Sequence, residues 1–191
     1  MRLGVLGGTF DPPHVGHLLV AVDAFEALAL DRLLFVPAAV PPYKAHTVEA
    51  SPEQRLQMLE ATIGDDARFE VSRLELDRVG LSFTVDTLAA LAIERPGVSL
   101  FLLIGEDLAT QIASWRNAAR IAELASIVVL VRPTSVSASA LESSLPMTRL
   151  GTRRIELSST EIRDRVRAGR SIHGFVTDAV AAFIHAAGLY R

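Results

Sequence analysis

The chain of 191 residues has no cysteine, which excludes disulfides, thiolate zinc sites and a cysteine nucleophile. A reducing compartment is permitted, and the cytoplasm is the expected setting. An excess of one charge is also missing: 19 Lys and Arg against 22 Asp and Glu give a formal net charge of -3. Nothing global therefore invites DNA or RNA, and no nucleic-acid partner is expected. The basic stretch from Arg149 to Arg154 stands in an acidic chain with 6% aromatics and reads as a solvated strand edge. Phosphate binding has to come from a local cluster. The opening apolar run meets Gly7-Gly8 at once, too short for a signal peptide or a membrane span, so a soluble chain without a membrane partner is expected. What is present, 50% hydrophobic and 21% charged residues, suffices for a sizeable core in one domain spanning 1–191. Oligomeric state is not encoded in composition, and a homo-oligomer is left open.

Arg2 to Leu6 reads as a buried strand that stops at a glycine pair, and apolar residues at helical spacing follow from Val15 to Leu30. Leu33 to Val36 is a second strand, after which Pro37, Pro41 and Pro42 hold open a loop carrying Tyr43, Lys44 and His46. Ser51 caps a helix with Pro52 at its first position and Gln54 in capping-box register, running to Ile63. A half-exposed strand is expected from Phe69 to Leu76, a helix from Val85 to Glu94, and a central strand from Ser99 to Ile104 ending at Gly105. Helices near Leu108–Ile112 and Asn117–Leu124 precede a strand at Ile127–Val131, and Thr134–Ser139 reads as a surface loop. The last strand is expected at Arg154–Leu157. It leads into a helix capped by Ser158, with Glu161 in register, and then a closing helix from Val176 to Ala187. Strands alternating with helices imply a Rossmann-like, doubly wound α/β fold. Its sheet is mostly parallel and covered on both faces, with ligands bound beyond the carboxyl ends of the strands.

The loop Gly7–His17 lies where backbone N–H groups and a helix dipole favour phosphate, yet it is neither GxGxxG nor a Walker loop. His14 and His17, three apart at a helix start, can face one point and donate to phosphoryl oxygens. Two capping or surface histidines would satisfy the same spacing. A zinc site would need a third ligand, and neither Asp11 nor His46, His173 or His185 stands at a recognisable spacing. Trp115, the single tryptophan, would ordinarily be a core anchor, and Lys44 a solvated surface charge.

Gly8-Thr9-Phe10-Asp11-Pro12 followed by His14-Val15-Gly16-His17 resembles the HxGH signature of the nucleotidyltransferase superfamily. Pro41-Pro42-Tyr43-Lys44, Ser82 to Leu88, Gly105-Glu106-Asp107 with Trp115, Ser158 to Arg163 and the closing Gly188-Leu189-Tyr190-Arg191 resemble the bacterial nicotinate-nucleotide adenylyltransferases. The likeness spans nearly the whole chain. It implies transfer of AMP from ATP to nicotinate mononucleotide, giving deamido-NAD and pyrophosphate, with Mg²⁺ accompanying ATP; no residue is assigned to the metal, whose protein ligands are left open. The acceptor phosphate, with a second pKa of about 6, needs little help from a base. The resemblance places His14, His17, Lys44 and Arg163 in catalysis. It places Gly7, Gly8, Thr9, Phe10, His14, His17, Gly105, Asp107, Ser158, Ser159, Thr160 and Arg163 at ATP. Lys44, Thr84, Trp115 and Arg116 are placed at the acceptor, with Trp115 stacking on the pyridine and the Thr84 and Arg116 backbone meeting its carboxylate.

Departures from the family pattern are Glu106, which must point away from a polyanion or meet a cation, Thr177 in place of a frequent proline, and Phe83 in place of tyrosine. The alternatives are another acceptor, nicotinamide mononucleotide or pantetheine phosphate, or a nucleotide-binding protein without catalysis.

Overall fold

A computed structural model describes residues 1–40, 48–131, 145–153 and 155–191. Strands β1 (Arg2–Gly8), β2 (Arg32–Pro37), β3 (Phe69–Val71), β4 (Ser99–Gly105), β5 (Ala125–Val131) and β6 (Met147–Gly151) form one sheet in the order β3-β2-β1-β4-β5-β6. Every pairing in it is parallel. The chain steps outward from β1 to β3, then returns to the other side of β1 to lay down β4. That reversal opens a crevice beyond Gly8 and Gly105, the carboxyl ends of the two central strands.

Both faces of the sheet are covered, so the inner strands are continuous apolar runs rather than alternating ones; Leu33 to Val36 are buried in succession. Helices are α1 (Val15–Ala27), α2 (Pro52–Ile63), α3 (Thr84–Glu94), α4 (Glu106–Ala109), α5 (Ala118–Leu124), α6 (Ser159–Arg167) and α7 (Asp178–Ala186). On one face Val5, Leu34, Leu102 and Ile127 pack with Leu88 of α3 and Ile121 of α5. On the other, Leu33, Phe35, Leu103 and Val128 pack with Ala21 and Ala24 of α1 and Leu59 of α2. Each large side chain so buried contributes about 1.5–3 kcal/mol. A third cluster joins Met58 of α2, Ile162 of α6, Val180 and Ile184 of α7 and Tyr190, which fastens the chain's end against the middle of the fold.

Most elements lie where the periodicity puts them, and the exceptions have local causes. Helix α1 stops at Ala27 rather than Leu30 because Ala29 takes a left-handed φ of 45° and the Leu30 N–H closes back on the Phe25 carbonyl. The alternation from Phe69 to Leu76 supports only the short β3. Ser72 turns the chain by accepting the Leu74 N–H, and the Asp77 N–H closes on Arg73. The helix expected at Leu108–Ile112 is instead α4 followed by a 3₁₀ turn over Ile112–Ser114.

The last strand is β6, not Arg154–Leu157. Arg153 is held by Asp23 on α1, and the chain crosses above Gly16, where Ile155 packs, before Ser158 caps α6. Exposed Thr148 and Arg149 make β6 the solvated edge expected of that region. Thr177, the departure from proline, caps α7 by accepting the Val180 N–H. The loop Thr134–Ser139 and Arg154 itself lie outside the described residues.

Candidate active site

The loop between β1 and α1 is shaped by its glycines. A Cβ on Gly8 would stand 2.8 Å from the Phe10 ring, and one on Gly16 2.9 Å from His14 Nδ1, so both positions need the smallest residue. Phe10 has a φ of 52°, and its buried ring lies edge-on to Phe35 and His17. It is a core anchor that leaves only its backbone for a ligand. Asp11, also buried, precedes Pro12 through a cis peptide bond. Its carboxylate accepts the Glu49 N–H at 2.8 Å, the Ala50 N–H at 3.1 Å and the Tyr190 hydroxyl at 2.7 Å. Burial and the Asp11 partner push the Tyr190 phenol up, so it stays a donor.

Arg55 of α2, fully buried, braces the loop from beneath. Its guanidinium donates to the Thr9 carbonyl at 2.7 Å and to the Ala50 and Ala39 carbonyls at 3.3 Å each. Desolvation lowers its pKa and the nearby Asp11 opposes that shift; a guanidinium remains charged regardless.

His14 is the N-cap of α1 and His17 the third residue of its first turn. The His14 N–H donates to His17 Nδ1 at 3.1 Å, which puts the proton of neutral His17 on Nε2. The two rings stack, centroids 3.6 Å apart and planes 23° from parallel. Burial lowers His14 from the ordinary imidazole value of 6.5 to about 4, and burial with the His14 neighbour holds His17 well below the ordinary value too. Both are therefore neutral near pH 7 and offer N–H donors rather than full charges. His14 Nδ1 is buried without a hydrogen-bond partner among the described residues.

Arg163 on α6 reaches the same loop. Its Nη1 donates to the Asp11 carbonyl at 2.8 Å, and Nε lies 2.9 Å from the Glu49 carboxylate, which also pairs with Arg167. Asp11, Glu49 and Arg163 thus close a ring: the Asp11 carboxylate fixes the Glu49 backbone, Glu49 holds Arg163, and Arg163 returns to the Asp11 carbonyl. Ser158 caps α6, Ser159 Oγ donates to the Pro12 carbonyl at 2.8 Å, and the Thr160 hydroxyl accepts from Arg163 Nη2 at 3.4 Å. Lys44 lies outside the described residues.

Beside the loop is a cavity of about 290 Å³ whose wall includes Gly7, Gly8 and Thr9 on one side and Thr84, Trp115 and Arg116 on another. Trp115 is half-buried, packed against the α3-side core and lining the cavity. The Arg116 guanidinium lies 4.7 Å above the Phe83 ring, so the phenylalanine found in place of tyrosine serves as a cation platform. Thr84 opens α3, whose N-terminal N–H groups favour an anion there. Asp107 lies at the cavity wall, close enough to Gly105 that a Cβ there would stand 2.6 Å from Oδ1. Glu106 meets a cation, Arg149 Nη2 at 3.3 Å.

A family model described as cytidylyltransferase-like matches residues 5–165. A protein of Gemmatimonas aurantiaca named "probable nicotinate-nucleotide adenylyltransferase" is 47% identical over all of this chain and 93% of its own length. This chain belongs to the cytidylyltransferase-like family, and within it to the nicotinate-nucleotide adenylyltransferases. A family member of the same name from Thermus thermophilus is 44% identical over the full length of both chains. The Plasmodium falciparum nicotinic acid mononucleotide adenylyltransferase complexed with NaAD shares the fold, with a TM-score of 0.79 at 16% identity, covering 99% of this chain and 97% of its own.

In this family member the fold brings the histidine pair, Ser158 to Thr160 and Arg163 to one loop, and Thr84, Trp115, Arg116 and Asp107 to one cavity. Among the described residues no group of three or more His, Asp or Glu is arranged to hold a metal ion, and no helix is long and apolar enough to cross a membrane. Sequence reasoning assigned no role to Glu49, Arg55 or Tyr190. Arg55 left a trace: it falls on the face of α2 that carries buried Met58, Leu59 and Thr62, a place for a charge only if it is fully paired. Tyr190 stood in the closing motif without a role, and Glu49 left no trace, because their partners are far away in sequence.

Proposed function

We infer that this protein is a nicotinate-nucleotide adenylyltransferase of NAD biosynthesis, acting as a single domain over 1–191. A phosphate oxygen of nicotinate mononucleotide attacks the α-phosphorus of ATP. The bond from that phosphorus to the bridging oxygen of the β-phosphate breaks, and pyrophosphate leaves with the electron pair. No protein nucleophile is needed, so the work is alignment of two anions and stabilisation of the charge that develops on the leaving group. The observation that carries this reading is the junction of two unlike sites at the crevice between β1 and β4. A loop of N–H donors with the His14–His17 pair adjoins an apolar cavity walled by Trp115, Thr84 and Arg116.

ATP lies along Gly7 to Phe10 by their backbone, with Gly105 and Asp107 on the β4 side and Ser158, Ser159, Thr160 and Arg163 on the α6 side. His14 and His17 donate to its phosphates, and His17 Nε2–H is the donor best defined by its neighbour. Arg163 is held in place by Glu49 and Asp11 before any ligand arrives, which removes the cost of ordering a long side chain. Lys44 is assigned to the acceptor phosphate by family likeness. Among the described residues the site offers the Arg163 cation and N–H donors and holds no group of three or more His, Asp or Glu arranged for a metal ion. A Mg²⁺ ion accompanying ATP would supply neutralisation of the triphosphate charge beside these donors. The cytoplasm, where ATP is supplied, belongs to the same proposal.

Nicotinate is favoured over nicotinamide because the cavity wall at Thr84, where α3 starts, and at Arg116 offers backbone N–H donors to a carboxylate. A carboxylate accepts on both oxygens, whereas an amide would turn its NH₂ toward donors and lose about 1–3 kcal/mol. The test is dinucleotide and pyrophosphate formation from ATP and Mg²⁺ with each mononucleotide in turn. A strong preference for the acid is expected. Comparable rates would overturn the carboxylate selection, and no product from either would overturn the acceptor assignment.

A further inference from the structure

The contacts assigned above address the negative ends of the acceptor, its phosphate and its ring carboxylate. Between them lies a pyridine whose nitrogen is bonded to ribose and which therefore carries a permanent positive charge. Placing a cation in an apolar cavity is costly unless an opposite charge or a π face meets it. Trp115 supplies the face. The wall also includes a buried carboxylate that nothing above uses.

That carboxylate is Glu75, on the turn after β3, 8% exposed and lining the cavity. Its Oε1 accepts the hydroxyl hydrogen of Thr87 at 2.6 Å; Thr87 is itself buried on α3 and lines the same cavity. Arg78, on the same segment, donates to the Thr87 hydroxyl at 3.5 Å. The hydroxyl fixes the direction of one oxygen, and a carboxylate has further lone pairs to offer. Asp107 shares the wall but is exposed to solvent, which screens it. A buried carboxylate with a hydroxyl partner and no ion pair among the described residues is costly in a ligand-free protein, and that cost is repaid when a cation enters.

We propose that Glu75 is the counter-charge to the pyridinium ring, so that the cavity reads the acceptor as a zwitterion. Arg116 and the start of α3 take the ring carboxylate, and Glu75 with the face of Trp115 takes the ring cation. This rests on the acceptor assigned above. Glu75 is a binding residue for the charge of the ring rather than for its shape.

The experiment compares the dissociation constants of nicotinate mononucleotide and of its isostere with an uncharged ring, the benzoate C-riboside 5′-phosphate, by calorimetry. Glu75→Gln is expected to weaken the pyridinium nucleotide about tenfold and to leave the benzoate compound unchanged, so the ratio of the two falls. Glu75→Asp, which keeps the charge, is expected to preserve most of that ratio. Equal weakening of both ligands, or no change in either, overturns the proposal, since a wall residue that only shapes the cavity cannot tell carbon from charged nitrogen. If the amide variant does not fold, Glu75→Met is read by the same ratio. A wild-type protein that binds neither compound while binding ATP overturns the acceptor reading itself, a different result from an unchanged ratio.

Discussion

The two sides of the loop between β1 and α1 are built on opposite principles. The side toward α6 is a hydrogen-bonded frame in which most groups are already satisfied: Asp11 accepts from Glu49, Ala50 and Tyr190, and Arg163 is shared between Asp11 and Glu49. The side toward α3 is an apolar cavity with a few polar groups spaced around it. The difference matches the cargo proposed for each. Phosphoryl transfer needs donors fixed before charge develops, because reorganising them during the reaction would cost part of their benefit. Ring recognition needs surface and a few directional contacts, because most of its free energy comes from removing an aromatic face from water.

If the frame is the catalytic side, its largest sensitivity is in turnover. His17→Ala is expected to lower kcat by about 10²–10³ with little change in either KM, as for loss of one donor to a developing oxyanion. Steady-state kinetics with both substrates varied checks this, and near-normal turnover would break the division between the two sides.

The neutral histidines give the frame a pH signature of its own. The unfolded chain protonates an imidazole near 6.5, whereas folded His14 resists protonation until about 4 and His17 lies well below 6.5. Between those values the unfolded state holds more protons, so stability falls as pH drops from 6.5 toward 4 and is constant in this respect above 6.5. His14 alone accounts for roughly 3 kcal/mol across that window. Urea titrations of ligand-free protein at pH 7.5, 5.5 and 4.5 test this, and His14→Gln should flatten the slope.

On the cavity side the effect should move to binding. Trp115→Ala is expected to raise KM for the pyridine mononucleotide about tenfold or more, the size of a lost base–aromatic stack, while KM for ATP and kcat stay within a few-fold. A comparable rise in KM for ATP would mean that the sides are not separate. The smallest effect sharpens the frame's outer limit. Tyr190→Phe removes one buried donor from Asp11 and should cost about 1–2 kcal/mol in urea, with a kcat loss smaller than that of His17→Ala.

Residues adjacent in sequence were the ones that could be read before folding. The glycines, the spacing of His14 and His17, the Ser51 and Ser158 caps and the apolar runs of the inner strands all act over a few residues, so their roles follow from local geometry. Alternation over Phe69–Leu76 misled because the Ser72 side chain turns the chain after β3. The edge strand β6 escaped because its register is supplied by β5, not by its own pattern.

The sequence by itself determined the alternation of strands and helices, the position of the glycine-rich loop between β1 and α1 and, through motif likeness, the family. Tertiary structure alone decided that Glu49 holds Arg163, that Arg55 braces Thr9 from below, that Tyr190 ties the chain's end to Asp11 and that Glu75 reaches the cavity of Trp115. The physical reason is range. Propensity, capping and periodicity act along a few turns of chain, whereas a buried charge is settled only by whichever partner the packing brings within about 3 Å.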